Sequence, residues 1–120
     1  MNDIEIARKY TNKAHNASQK GHEFDLTFVQ FKRVINAKRC YYTGVELTSG
    51  VATKEQLPTD ITIDRVDSSK GYIPGNVVAC CFAYNQFKAV LENPSSPLDT
   101  KNVMRGLKRE QELLKKQGKK

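Results

Sequence analysis

The chain has 120 residues, 38% hydrophobic and 28% charged, with a formal net charge of +7. That length suits one domain with a modest core, spanning 1–120, and that balance excludes wholesale disorder. No apolar run is long enough to span a bilayer, and the opening MNDIEIARKY has no signal-peptide core. An intracellular location with no membrane partner is therefore expected. The three cysteines, Cys40, Cys80 and Cys81, form an odd set with two adjacent members, which argues against a disulfide framework.

The positive charge is unevenly spread. Residues 1–100 carry 12 basic against 11 acidic side chains, whereas residues 101–120 carry 8 against 2. A basic tail suits phosphate contacts that hold nucleic acid without reading its sequence. It equally suits a solvated terminal helix with a frayed Lys-rich end.

In chain order, residues 3–19 are predicted to be helical, since Ile6, Ala7, Tyr10, Ala14 and Ala17 recur at helical spacing with Lys and Asn on the remaining face. Gly21 is expected to end that helix. A second helix is predicted over about 28–38, opened by a Thr27/Gln30 capping box and striped by Phe28, Phe31, Val34 and Ile35. The two form a helical platform over 1–39. Cys40 to Gly44 reads as a tight turn, and 48–60 as a loop. Alternation over 61–67 predicts a strand, 68–75 its turn, 76–79 the returning strand, and 80–91 a helix broken by Asn93-Pro94. Asp99 or Thr100 caps a last helix, with Val103, Met104, Leu107 and Leu114 as its expected buried stripe.

The most informative stretch is Ile61–Lys88, ITIDRVDSSKGYIPGNVVACCFAYNQFK. It gathers Asp64, Arg65, Asn76, Asn85 and Lys88 on a strand–turn–strand–helix unit. Read as residues alone, Asp64 can serve as the acid of an ion pair with Arg65 or Arg33, and Asn85 can cap or face solvent. Asn76 after Pro74-Gly75 is what a tight turn prefers. Tyr72 reads first as packing over the turn and second as a base-stacking residue. His15 and His22, the only histidines, lie far from this segment in sequence and are expected at the surface.

Order and spacing here resemble the HNH branch of the His-Me finger (ββα-metal) endonucleases, especially the small proteins of this type found in phages. The resemblance covers residues 40–88, and 61–88 best. It implies an α+β fold, a ββα finger over 40–92 flanked by N-terminal helices and a basic C-terminal helix and tail over 99–120. It implies DNA cleavage or nicking with Mg²⁺ or Mn²⁺, with DNA as partner and a homodimer or protein partner left open. By position, Asp64 and Asn85 match the metal ligands and Asn76 the structural Asn. Arg65 stands where the family has its general-base His. Asp64, Arg65 and Asn85 are thus the implied catalytic set, and Arg65, Lys70, Tyr72, Lys88, Lys108 and Arg109 the implied nucleic-acid contacts. A guanidinium stays protonated and cannot take a proton from water. The alternative is therefore a catalytically impaired finger that binds nucleic acid or regulates a partner. A second departure concerns zinc: the family's Cys-x-x-Cys pairs would fall at Cys40/Thr43 and Cys81/Tyr84, so no structural zinc is expected.

Overall fold

The computed structural model describes residues 1–50 and 55–119. Part of the predicted 48–60 loop thus lies outside the described residues. The chain forms two compact units, Met1–Asn85 and Gln86–Lys120.

In the first unit, α1 (Asp3–Gln19) starts where the Asn2 side chain accepts the Glu5 N–H, with Asp3 and Glu5 placed favourably in its first turn. It ends at Lys20 and Gly21, close to expectation. Helix α2 (Phe28–Ile35) has the predicted capping box, with the Thr27 side chain on the Gln30 N–H and the Gln30 side chain on the Thr27 N–H. It stops three residues short of the predicted end. Beyond it, Leu47 N–H donates to the Lys38 carbonyl and Arg39 bridges Glu46, so the chain turns to pair with residues further on.

Two antiparallel strands, β1 (Ile61–Arg65) and β2 (Val77–Cys81), form the only sheet among the described residues, in the register Ile61↔Cys81 through Arg65↔Val77. Helix α3 (Phe82–Glu92) follows β2 with no loop. Cys80 and Cys81 were predicted to open the helix and instead end the strand. The Phe82 N–H still donates to the Asp60 carbonyl, which holds them in the ladder. The core is the joint between platform and sheet: Ile6, Leu26, Phe31, Ile35, Ile61, Ile63 and Ala79 pack together. Tyr10 lies edge-on to Phe24, Phe28 and Phe31 and donates its hydroxyl to the Leu26 carbonyl.

The β1–β2 turn is stitched to the segment between α1 and α2. Tyr72 N–H donates to the Glu23 carbonyl at 2.7 Å, and Asp25 N–H returns to the Tyr72 carbonyl at 2.9 Å. This pairing leaves no room beside Gly71, where an added Cβ would sit 2.5 Å from the Glu23 oxygen. At the other end of the turn, Asn76 N–H donates to the Ile73 carbonyl and Gly75 takes φ +85°, a type II arrangement that Pro74-Gly75 favours.

In the second unit, α4 (Thr100–Lys116) opens with Asp99 as N-cap and Asn102 completing a capping box. Its expected buried stripe is not buried: Met104 is 65% and Leu107 56% exposed. Helical spacing shows which side chains share a face, but a face is buried only where another element covers it.

Gly71→Ala is expected to lower unfolding free energy by about 1–3 kcal/mol, the usual cost of overpacking against backbone. Urea denaturation followed by far-UV circular dichroism checks this, and an unchanged midpoint contradicts the close approach.

Candidate active site

Successive side chains of a strand point to opposite faces. Ile61 and Ile63 go to the core, so Thr62 and Asp64 go to the other face. Asp64 is only 6% exposed, yet it carries a carboxylate. Burying an ionised group is costly unless it is hydrogen-bonded or paired. The Tyr42 hydroxyl meets part of that need, donating to Asp64 Oδ2 at 2.7 Å. The 40–44 turn delivers this phenol: Tyr41 N–H donates to the Ala79 carbonyl, and Gly44 N–H closes back on the Cys40 carbonyl. The Tyr42 ring then stacks on Tyr84 of α3, with centroids 4.9 Å apart at 23°. Burial, and then the bond to Asp64, push the Tyr42 phenol above its ordinary value, so it stays a neutral donor.

Asn85 follows Tyr84 and reaches the same face. Its Nδ2 donates to Thr62 Oγ1 at 3.0 Å, and that hydroxyl donates to the Cys80 carbonyl at 2.8 Å. A hydroxyl has one proton, and here it is spent on Cys80. Thr62 must therefore accept from Asn85, which fixes the amide with Oδ1 at the far end. A carboxylate and an amide oxygen thus come from one strand face and the start of one helix. Such hard oxygen donors suit Mg²⁺ or Mn²⁺, with waters completing the shell.

Arg65 goes the other way. Its Nη1 donates to the Ser68 and Lys70 carbonyls at 3.0 and 3.1 Å and lies 3.1 Å from His22 Nδ1. Its guanidinium carbon sits 5.3 Å from the Tyr72 ring centroid. Because a guanidinium only donates, Nδ1 is the acceptor and the imidazole is neutral with its proton on Nε2. Partial burial, then the charges of Arg65, Lys20 and Lys13, hold the His22 pKa below its usual range. Sequence reasoning missed this neighbour, for no local spacing links residues 43 positions apart.

Asn76, 7% exposed, clasps the turn: its Oδ1 accepts from Asp67 N–H while Nδ2 donates to the Asp67 and Gly71 carbonyls. Lys70 is exposed, 4.0 Å from the Asp67 carboxylate. Tyr72 is half-buried against Phe24 and His22. Lys88 lies three residues beyond Asn85 in α3, and Lys108 and Arg109 are exposed on α4.

Cys40, Cys80 and Cys81 are all buried and unoxidised. Burial and the neighbouring Cys40 push the Cys80 thiol up to about 12. At the two positions where a zinc knuckle would need thiolates, Thr43 accepts the Val45 N–H and Tyr84 stacks on Tyr42. Among the described residues, no group of three or more His, Cys, Asp or Glu is placed to hold a metal ion. Nor is any helix among them long and apolar enough to cross a membrane.

No family model matches this chain. It is 27% identical over 84 residues to an uncharacterized 29.0 kDa protein in the dda-modA intergenic region of Enterobacteria phage T4. That match takes in 70% of this chain but 32% of the phage protein, about a third of its length. Among solved structures, the chain is similar to the rare-cutting HNH restriction endonuclease PacI, with a TM-score of 0.58 at 20% identity, covering 96% of this chain and 82% of that one. The architecture, four helices and a two-stranded antiparallel sheet among the described residues, is α+β and consistent with the HNH type.

Tyr42→Phe is expected to cost about 1.5–3 kcal/mol at neutral pH, the range for a hydrogen bond to a charged group. The native phenol pKa is raised above its ordinary 10.0, so its contribution is intact below pH 10.0 and is lost as pH climbs toward the native value. The alkaline fall in stability should be shallower in the variant. Equal unfolding curves for the two chains from pH 7 to 11 contradict the Tyr42–Asp64 contact.

Proposed function

We propose that this chain is an HNH-type endonuclease that cleaves or nicks DNA with a divalent cation. The observation that supports the reading is that Asp64 and the Asn85 partner Thr62 share one face of β1 in a fold similar to an HNH restriction endonuclease. Asp64 and Asn85 would hold the cation. When bound, it would supply the positive charge that a phosphodiester needs as its transition state develops. Tyr42 keeps the Asp64 carboxylate in place, and Thr62 orients the Asn85 amide. Asn76 holds the turn on which Arg65 is anchored.

Arg65 follows Asp64 in the strand but is turned to the Ser68 and Lys70 carbonyls, and it cannot accept the proton of the attacking water. That proton passes to solvent, so the reaction is slow. General-base assistance is usually worth roughly 10²–10⁴-fold, and this is the scale of what Arg65 forgoes. Lys70, Tyr72 and Lys88 are assigned to the flanking strand, and Lys108 and Arg109 to nonspecific grip. The likeness to a T4 protein supports a phage protein acting within its host.

One observation favours a second reading, a finger that binds nucleic acid without cutting it. Arg65 is engaged by two turn carbonyls and His22, a structural use of the position where this fold family has its base.

Nicking of supercoiled plasmid with Mg²⁺ or Mn²⁺ is expected for the wild type, with a loss of at least about 10²-fold in Asp64→Ala, the scale for removing a key electrostatic group. Equal rates reject the site. Arg65→His is expected to accelerate nicking, at some cost in stability because the turn carbonyls lose their donor. Salt-sensitive DNA binding without divalent-stimulated cleavage in either chain selects the second reading.

A further inference from the structure

One feature of the first unit has no part in the cleavage chemistry. A groove of about 270 Å³ runs between α1 and the edge of β1. Lys9, Asn12, Lys13 and Asn16 line one wall, and Ile61 and Ile63 lie opposite. The four polar residues stand at i, i+3, i+4 and i+7 and so share one helix face. Their periodicity alone would assign this face to solvent.

The opposite wall is the outer edge of β1, covered by Thr48 at Ile61. Phe82 N–H donates to Asp60 and Val66 N–H donates to Asn76, so residues 60, 62, 64 and 66 make the hydrogen-bonded pairs with β2. Ile61 points away from β2, its N–H donating to the Thr48 carbonyl. Ile63, two residues on, therefore turns its own N–H and carbonyl away from β2 and into the groove. The site offers two ammonium groups, two side-chain amides and a backbone N–H, and none of its lining residues is acidic.

The positive character continues toward Arg65 and the β1–β2 turn. Lys13 Nζ lies 5.0 Å from the Tyr72 ring centroid, and the same ring carries Arg65 at 5.3 Å. At the opposite end Lys9 is close enough to Asp60 to lower that carboxyl's pKa, after the larger effects of Thr48 and the Leu57 N–H. The anion-attracting end is thus the Lys13 end, nearer Arg65.

We propose that this groove holds the sugar–phosphate backbone of DNA, with Lys9 and Lys13 on phosphates and Asn12 and Asn16 donating to backbone oxygens, and leads the strand toward Arg65 at the end of β1. The choice of DNA as occupant rests on the nuclease reading; the charge and donor pattern do not. An extended peptide added to the edge would use the Ile63 N–H and carbonyl but gain little from two cations.

The test is fluorescence anisotropy with a short DNA duplex in EDTA, so that nothing is cut, over a series of KCl concentrations. Each phosphate that a lysine no longer neutralises should reduce the slope of log affinity against log salt by about 0.9. Lys9→Gln/Lys13→Gln is thus expected to flatten the slope by about 1.8 and to weaken binding at low salt. Lys9 and Lys13 are half-buried and Lys13 stands over the Tyr72 ring, so a small drop in thermal midpoint is expected and binding is compared well below it. Asn12→Asp, which adds a carboxylate to the same wall, should also weaken binding. Wild-type slope and affinity in both variants overturn the groove assignment. If Asp64→Ala still abolishes nicking in that case, the nuclease reading stands and only the groove falls. No salt-dependent DNA binding by the wild type overturns both.

Discussion

A carboxylate almost removed from solvent on a two-stranded sheet is the constraint on which the rest of this structure turns. Asp64 sits at 6% exposure on a strand too short to surround it. An ionised acid there is tolerated only with close donors. The chain supplies one from a distant turn, Tyr42, and holds that turn through the Tyr41 bond to β2 and the Tyr42–Tyr84 stack. Tyr84 belongs to the first turn of the helix that places Asn85 over Thr62. The neighbours of the acid thus double as the framework that carries the second oxygen donor.

The two faces of the hairpin divide the labour. One face meets the helical platform through Ile61, Ile63 and Ala79, which pack on Ile6, Leu26, Phe31 and Ile35 to form the core. The other carries polar groups that a packing argument alone would not place there. Arg65, at the end of β1, is drawn to the turn carbonyls and His22 on the platform side. Partial burial, and then its charge with those of Lys20 and Lys13, lower the His22 pKa. The fold therefore gathers Arg65, Lys13 and Lys20 about His22, although residues 1–100 are nearly balanced in sign.

Much of this arrangement was legible in the sequence. The periodicity of α1, the Thr27/Gln30 box and the Pro74-Gly75 turn act over three or four residues, and local signals of that kind survive folding. The strand pair was legible from β-branched alternation. Its boundary with α3 was not, because Cys80 and Cys81 suit either element and the Asp60 carbonyl decides for the strand. The exposed stripe of α4 was misread because spacing cannot say whether a cover exists. In the site, Asp64 and Asn85 stood out through their resemblance to a known family. Tyr42 as donor and His22 as the partner of Arg65 did not, since each contact joins residues separated by more than 20 positions.

The account depends on an acid and an amide presenting oxygens to one divalent ion. The most direct measurement is anomalous diffraction from crystals of the intact chain grown with Mn²⁺. The expected result is a single peak about 2.0–2.2 Å from an Asp64 oxygen and Asn85 Oδ1, with waters filling the remaining positions. A map with Mn²⁺ only at the surface, and the Asn85 amide oxygen turned away from Asp64, would contradict it.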